Sequence, residues 1–310
     1  LNDPRVRTVV LDAQNGDAIA QELVQDCQVP VHSGMPRFNL IVLIVMEACL
    51  GAGAHYIDMA SDGPVELPDL VTVPRQMSCD AAFRDKGLLA LLGIDVDAGV
   101  TNILARYAFD QLAELSRIVV YDGDNSQLSD YAFALPFSLD TSIEECLQPP
   151  LRYLARRFVR GEPLTTGIEE FEFPDPVGRL TVRSVSHVEV GTLPLFLGQK
   201  GLRDCEFKYA LSEQYVGILK TLHVLGLDRE ELVVADGRRV IPRHVVASLL
   251  PQPADLVEEL SGTSCVGTLA EGRTADGDAV RWYLYTTATH DMSRRDMGVN
   301  ATVWQAVCPQ

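Results

Sequence analysis

Two histidine–carboxylate pairs are the first candidates for chemistry in this sequence. His187 and Glu189 are two residues apart within residues 178–190, which are predicted to form a strand. Side chains two residues apart on a strand face the same side of the sheet, so both would reach one ligand as a general acid and a general base. A polar strand face in contact with solvent explains the same pattern, and both interpretations stay open. His290 and Asp291 form a second pair, with a weaker case because a histidine beside an acid is common.

Loops at the predicted carboxyl ends of strands carry further polar side chains. These loops are residues 12–13, 34–36, 58–62 and 95–102. Ligands of parallel sheets bind at this edge, so the loops are candidate binding positions. Taken singly, Asp12 and Asp58 are also explained as caps of the turns that follow them. Asp97 is likewise explained as the N-cap of a helix that begins after Gly99.

Motifs for three kinds of chemistry are absent from the sequence. The Gly-x-Gly-x-x-Gly turn, which lets backbone N–H groups reach a pyrophosphate, does not occur. The nearest string, residues 51–56, follows a predicted helix and precedes a strand, so we interpret it as a helix C-cap. No Gly-x-Ser-x-Gly nucleophile motif and no metal-ligand spacing occur either. We therefore predict no metal site, and Cys49, in an apolar helix, is predicted to be inert.

Short apolar runs and helical patterns alternate in the first third of the chain. The predicted strands are residues 7–11, 29–33, 56–60 and 88–92, and the predicted helices are residues 17–25, 39–50 and 77–86. This alternation is typical of βαβ units. We therefore predict an α/β protein that opens with a Rossmann-like parallel sheet, and we place the domain boundary near residue 100.

The rest of the chain has the pattern of an α+β domain. A helix over residues 101–115 precedes strands at 117–121, 178–190 and 204–209, a helix over 211–225 that Gly226 ends, and strands at 265–270 and 280–286. The Asp276-Gly277 pair between the last two strands predicts a hairpin.

The charge balance excludes partners that carry many negative charges. The chain has 310 residues, with 26 Lys and Arg against 43 Asp and Glu, and a formal net charge of −17. Nucleic acid and anionic membrane surfaces would repel such a protein. The most apolar run, residues 40–46, is far shorter than the ~20 residues that cross a bilayer. Seven scattered cysteines and no visible secretion signal predict a cytoplasmic protein with reduced thiols. From the first residue, Leu1, we expect that the chain starts within a longer protein.

Several segments resemble the saccharopine dehydrogenase family in order and spacing. Residues 46–58 are similar to the family's Glu-Ala-Cys segment and its Ala-Gly-x-x-Tyr-x-Asp continuation, and residues 93–102 to its Gly-x-x-x-Asp-Pro-Gly turn. The other matches are residues 171–174 with 186–189, and residues 249–251 with 262–267. The family includes saccharopine reductases, carboxynorspermidine dehydrogenases and lysine 6-dehydrogenases, and the resemblance extends over nearly the whole chain.

The resemblance implies an enzyme with two domains. Residues 1–100 would form a Rossmann domain, incomplete at its N-terminus, residues 101–285 an α+β substrate and dimerisation domain, and residues 286–310 a segment that returns to the first domain. The implied reaction is hydride transfer between NAD or NADP and a C–N bond of an amino acid or opine, such as saccharopine or carboxynorspermidine, in amino-acid or polyamine metabolism. The partners would be that small molecule and a second copy of the chain in a homodimer.

The resemblance also implies roles for particular residues. The implied catalytic residues are Asp58, Asp97, His187 and Glu189. The arginines available to pair with a substrate carboxylate are Arg179, Arg183 and Arg203. In the cofactor site, the residues near the adenine would be Asp12 and Ala13, and those near the nicotinamide ribose Gly34, Met35 and Pro36.

The chain departs from the family pattern in ways that leave a second interpretation open. The family's opening strand, glycine loop and first helix would precede residue 1, and its closing helix would follow residue 310. Ala98 stands where the family turn has proline, and residues 211–214 lack the Pro-Gly-His of lysine 6-dehydrogenases. Residues 240–267 are closer to the carboxynorspermidine and saccharopine members. The alternative is a non-catalytic relative that acts as a binding or interaction module, and the chain by itself is predicted to bind NAD(P) poorly.

Overall fold

The computed structural model describes residues 9–26, 31–32, 39–59, 64–66, 72–128, 130–131 and 133–307. The chain forms two compact units, of which the first comprises residues 1–66 and 73–94 and the second residues 67–72 and 95–310. The main division therefore falls at residues 94–95, close to the predicted boundary. The described part of the chain contains no helix long and apolar enough to cross a membrane.

The first unit is built on a small parallel sheet, as the sequence predicts. The strands lie in the order β1 (Val31–His32), β2 (Tyr56–Asp58) and β5 (Ala90–Leu91). The other elements are α1 (Gly16–Asp26), α2 (Asn39–Ala52), the pair β3 (Pro64–Glu66) and β4 (Thr72–Pro74), a 3₁₀ turn (Arg75–Cys79) and α3 (Asp80–Asp85). The apolar helix α2 packs its buried face on this sheet and ends before Gly53, whose φ is +72°.

The second unit is built on an eight-stranded sheet in which one pair is parallel. The order is β15-β14-β6-β11-β10-β9, with β7 on β11 and β8 on β7. The strands are β6 (Glu114–Asp124), β7 (Leu151–Leu154), β8 (Arg157–Arg160), β9 (Glu169–Glu172), β10 (Arg179–Ser184), β11 (Asp204–Ala210), β14 (Thr263–Arg273) and β15 (Ala279–Thr289). β6 and β11 run parallel, so their carboxyl ends lie side by side. The predicted hairpin is confirmed as β14 and β15.

Helices pack on the sheet of the second unit to form its main core. They are α4 (Val100–Gln111), α5 (Leu139–Leu147), α6 (Glu189–Leu197), α7 (Glu213–Leu225), α8 (Pro242–Leu249), α9 (His290–Met297) and α10 (Ala301–Val307), and a separate hairpin joins β12 (Val233–Ala235) to β13 (Arg238–Val240). Ile118 and Val120 of β6 and Phe207 of β11 are buried against α4, α6 and α7. The core thus fixes the strand ends that carry the polar residues described below.

The predicted strand over residues 178–190 is wrong in its second half. β10 ends at Ser184, and Glu189 is the first residue of α6. After Val185 the backbone leaves the sheet, because the N–H of Ser186 donates to the carbonyl of Glu145 on α5. The buried residues Val190, Leu193 and Leu197 then follow helical spacing. His187 therefore lies in a short connection, and Glu189 in the first turn of a helix.

Other boundaries also differ from the sequence-based expectation. Residues 9–11, the described part of the first predicted strand, form no strand. The predicted helix over residues 101–115 ends at Gln111, and Leu115 belongs to β6, where pairing with β14 and β11 on both sides extends the strand.

The C-terminal segment packs on the second unit. α9 and α10 lie against β15, and Nε2 of Gln305 donates to the carbonyl of Thr286 at 3.1 Å. The return of residues 286–310 to the first domain stays a prediction.

Candidate active site

His187 and Glu189 form a buried acid–base pair at the start of α6. Nδ1 of His187 contacts the carboxylate of Glu189, which is fully buried. Oγ1 of Thr101 donates to the same carboxylate at 2.9 Å. The imidazole stacks on the ring of Phe207, with centroids 3.9 Å apart and planes inclined by 12°. The pair is therefore held from three sides, which argues against the solvent-exposed strand face considered above.

Three carboxylates from separate elements surround this pair. Asp97 lies in the turn before α4, Asp122 near the carboxyl end of β6, and Glu145 on α5. Oε1 of Glu145 is 3.9 Å from Nε2 of His187. Each of the three residues is half-buried. A helix turn, a strand end and a loop thus bring several titratable groups to one position.

The surroundings raise the proton affinity of the carboxylates. Burial, together with the negative charges of Asp124, Glu145 and Glu189, raises the pKa of Asp122 to about 8, although His187 opposes the shift. Burial and neighbouring acids raise the pKa of Glu145 to about 7, again against His187. Burial, with Asp122 as the largest charge contribution, raises the pKa of Asp97. The site therefore holds exchangeable protons near neutral pH.

The surroundings also raise the proton affinity of the imidazole, which makes it a cation. Burial by itself would lower the pKa of His187, but the charge and hydrogen bond of Glu189 and the charges of Glu145 and Asp97 raise it to about 10. His187 is therefore an imidazolium at neutral pH, and it is both a proton donor and the cation that balances part of the acidic cluster.

The turn that carries Asp97 depends on glycine. Gly99 has a φ of +140°, and a Cβ at this position would lie 1.9 Å from the carbonyl oxygen of Asp95. Gly99 is also the N-cap of α4, and its N–H donates to Oδ1 of Asn102 at 3.3 Å. The alternative in which Asp97 caps this helix is therefore wrong, and its carboxylate is left for the cluster.

Asp58 lies in the first unit and is fully engaged there. Its side chain is completely buried and accepts hydrogen bonds from Nε2 of Gln76 and the N–H of Gly93, both at 2.6 Å. The N–H of Ile94 donates to its backbone carbonyl at 2.8 Å. These contacts connect the end of β2 to the segments that contain Gln76 and Gly93, which agrees with the interpretation of Asp58 as a turn cap. The catalytic role of Asp58 stays a prediction.

The predicted cofactor residues are only partly described. Asp12 is exposed, and its carboxylate accepts the N–H of Gln14 at 3.0 Å, while Ala13 is in the same turn. The N-terminus of α1 is capped by Asn15, whose side chain accepts the N–H of Ala18. A capped helix start beside a carboxylate does not fit a pyrophosphate, whereas Asp12 suits a hydroxyl or amino donor. The other predicted residues, Gly34, Met35 and Pro36, lie outside the described residues.

The three candidate substrate arginines have different surroundings. Nε of Arg179 pairs with Glu172 at 2.8 Å on an exposed surface. Arg183 is 3% exposed, contacts Glu213, and donates to the carbonyl of Leu164 at 2.8 Å. Arg203 is exposed. Among the described residues, none of these contacts involves the His187 cluster, and the substrate-binding roles stay predictions.

Sequence reasoning missed several members of the cluster. Asp122 and Glu145 were not candidates, and neither were Thr101 and Phe207. Asp122 lies just beyond the predicted strand 117–121, which is the signal that could have identified it. Glu145 lies on a helix far away in sequence, and no local pattern distinguishes it from a solvent-exposed acid.

Two enzymes of known function are similar to this chain in sequence. No family model matches it. It is 28% identical to carboxyaminopropylagmatine dehydrogenase of Synechocystis sp., an alignment that covers all of this chain and 76% of that protein. It is 29% identical to carboxynorspermidine synthase of Vibrio cholerae, over 90% of this chain and 66% of that protein.

A solved structure shows the same fold at low sequence identity. Saccharopine dehydrogenase (L-Glu forming) from Saccharomyces cerevisiae superposes with a TM-score of 0.64 and 10% identity, over 96% of this chain and 78% of that one. This match confirms the predicted fold class, a Rossmann-like sheet followed by an α+β unit. The chain is thus similar in sequence to carboxyaminopropylagmatine dehydrogenase and carboxynorspermidine synthase and has the fold of saccharopine dehydrogenase, and both findings support the predicted resemblance to the saccharopine dehydrogenase family.

Proposed function

We propose that this protein is an NAD(P)-dependent oxidoreductase that forms or breaks a secondary amine on a carboxylated di- or polyamine. The observation that carries the proposal is the His187–Glu189 pair surrounded by Asp97, Asp122 and Glu145 in the second unit. The named dehydrogenase relatives support the reaction class.

The cluster suits the proton steps of such a reaction. An amine adds to an aldehyde to give a carbinolamine, whose hydroxyl leaves as water only when it receives a proton. Asp122 and Glu145 carry protons near neutral pH and so can supply it. The remaining iminium cation is stabilised by the ionised members of the cluster. A bound nicotinamide supplies or accepts the hydride at the C–N carbon.

The charge of the site favours a cationic substrate. Six carboxyl groups of the second unit interact with one another or with one imidazole, and they belong to Asp95, Asp97, Asp122, Asp124, Glu145 and Glu189. An ammonium or guanidinium group entering this site would replace protons as the balancing charge. The relatives' names, carboxynorspermidine and carboxyaminopropylagmatine, describe amines of this kind.

The carboxylate end of the substrate requires a cation, and the three arginines are the proposed candidates. Arg203 is exposed and available, whereas Arg183 would have to exchange Glu213 for the substrate. For the cofactor, NAD and NADP are both candidates. The homodimer is also a proposal, supported by the family resemblance, and so is the cytoplasmic location, supported by the scattered cysteines.

The test measures substrate binding and turnover separately. Calorimetric titration of the protein with carboxynorspermidine needs no cofactor and should show binding that Asp122→Asn weakens. The control Asp110→Asn, which removes an exposed ion pair with Arg106 on α4, should leave binding unchanged. Turnover is followed as formation of NADH or NADPH from carboxynorspermidine. Binding without turnover would favour the non-catalytic module, and the absence of both would contradict the proposal.

A further inference from the structure

We propose that Ser126 and His290 are positioning residues, which hold the carboxylate of Asp124 at the edge of the acidic cluster through a chain of hydrogen bonds. The inference rests on the proposed function, because it assigns a role to residues outside the His187 pair. His290 is the first residue of α9, and Asp124 is the last residue of β6.

The first link in the chain fixes the imidazole of His290. This side chain is fully buried, and its Nδ1 accepts the N–H of Ala301 at 3.2 Å. Nδ1 therefore carries no proton, and the neutral imidazole has its proton on Nε2. Nε2 contacts Oγ of Ser126, so that the imidazole donates and the hydroxyl accepts.

The second link leads from the hydroxyl to the carboxylate. Because Oγ of Ser126 accepts from His290, its own proton is directed to Asp124, whose ionised form this bond favours. The N–H of Ser126 donates to Oδ1 of the same carboxylate at 2.6 Å. Asp124 is thus bound by two donors from one residue, and the orientation of that residue depends on His290.

A serine, a histidine and an aspartate in contact invite comparison with a nucleophilic triad, but the hydrogen bonds run the wrong way. A triad needs an unprotonated Nε2 to take the serine proton, and an aspartate on Nδ1. In this protein Nδ1 faces a backbone N–H, and Asp124 is on the serine side. The arrangement therefore orients a carboxylate and does not activate the serine.

Asp124 connects this chain of bonds to the active site. It follows Asp122 by two residues on β6, so both side chains lie on one face of the strand. After burial, the charge of Asp124 is the largest influence that raises the pKa of Asp122, ahead of Glu145 and Glu189, while His187 opposes it. The position of the Asp124 charge thus affects the proton that Asp122 holds.

The charged groups around His290 do not disturb this arrangement. Burial lowers the pKa of His290, the charge of Asp124 raises it, Arg294 lowers it and Asp291 raises it, with a net lowering. The imidazole therefore stays neutral at the pH at which Asp122 exchanges its proton. The histidine that sequence analysis rated weakly thus has a role, although not with its neighbour Asp291.

The experiment follows the carboxyl groups themselves, with ¹³C-labelled aspartate and no substrate. In Ser126→Ala the ionised form of Asp124 loses the hydrogen bond from the hydroxyl and keeps the one from the backbone N–H, so its titration should move to higher pH by about one unit. Asp122 should then titrate at lower pH, since its neighbour is less often charged. Ser293→Ala is the matched control, because the hydroxyl of this buried serine of α9 donates to the carbonyl of Thr289 and contacts no member of the cluster in the described part of the chain.

Unchanged Asp122 and Asp124 titrations in Ser126→Ala would overturn the inference, and so would an equal shift in Ser293→Ala. If Ser126→Ala does not fold, His290→Leu removes the donor to Ser126 and must move the Asp124 titration in the same direction. The titration needs no activity, so an inactive wild-type protein would contradict the proposed function and leave this test intact. Where turnover is present, the kcat–pH profile should shift with Asp122 in Ser126→Ala while KM changes less than kcat.

Discussion

Replacing Glu189 with glutamine should lower the free energy of unfolding most near pH 6, and progressively less as the pH rises toward 10. Glu189 is fully buried, and the pKa of His187 is raised to about 10 from 6.5 mainly by the charge and hydrogen bond of this carboxylate, against the effect of burial. A group with a raised pKa stabilises the fold below its unfolded pKa, and the stabilisation is lost as the pH rises through the folded value. The window is therefore about pH 6.5 to 10. At 1.36 kcal/mol per unit, the upper bound is about 5 kcal/mol, and about 3 kcal/mol is expected after relaxation of the site.

Urea unfolding of the wild type and Glu189→Gln at several pH values from 6 to 10.5 measures this contribution. The difference in free energy of unfolding should be largest near pH 6 and should shrink toward pH 10.5, where His187 is neutral in both proteins. Glu172→Gln is the control, because its ion pair with Arg179 is exposed and contributes little. A pH-independent difference would show that His187 is not held as an imidazolium, and the electrostatic reasoning would fail.

Three further changes test the geometry of the site. Gly99→Ala places a methyl group against the carbonyl of Asp95 and should lower the free energy of unfolding by several kcal/mol, on the order of 3. Gly217→Ala is its control outside the site, because a Cβ at this position of α7 meets open space, and it should raise the free energy of unfolding by about 0.5–1 kcal/mol. Thermal unfolding of the two variants measures both changes. Asp122→Asn should lower kcat in the direction of amine formation by about 100-fold and abolish the decline in rate near pH 8, which steady-state kinetics from pH 6 to 9 would reveal.

The parallel layer of the first unit and the β14–β15 hairpin could be predicted from the sequence because their signals are local. Alternating apolar runs identified β2 and α2, and the Asp276-Gly277 turn identified the hairpin. Pairing His187 with Glu189 was correct in its outcome but assumed a strand. A single carbonyl on α5, that of Glu145, draws the chain out of the sheet, and no local pattern contains this information.

The rest of the cluster was beyond prediction for a similar reason. Asp122 and Glu145 are brought to His187 by the pairing of β6 with β11 and by the packing of α5 on the core, both of which are long-range events. Local motifs did identify Asp97 as a candidate. That Asp97 does not cap α4 depends on Gly99, which is the N-cap and has a φ of +140°. The sequence therefore identified His187, Glu189 and Asp97, whereas Asp122 and Glu145 were found only in the structure.

The parallel pairing of β6 with β11 also has a kinetic consequence. The two strands are joined by a connection that contains α5, the four strands β7 to β10 and α6. Closing so long a loop costs conformational entropy before the contacts between the strands form. The hairpin β14–β15 closes a much shorter loop and can form early. During refolding, the signal of Trp282 on β15 should therefore recover before His187 stacks on Phe207, and competence to bind an amine should return last.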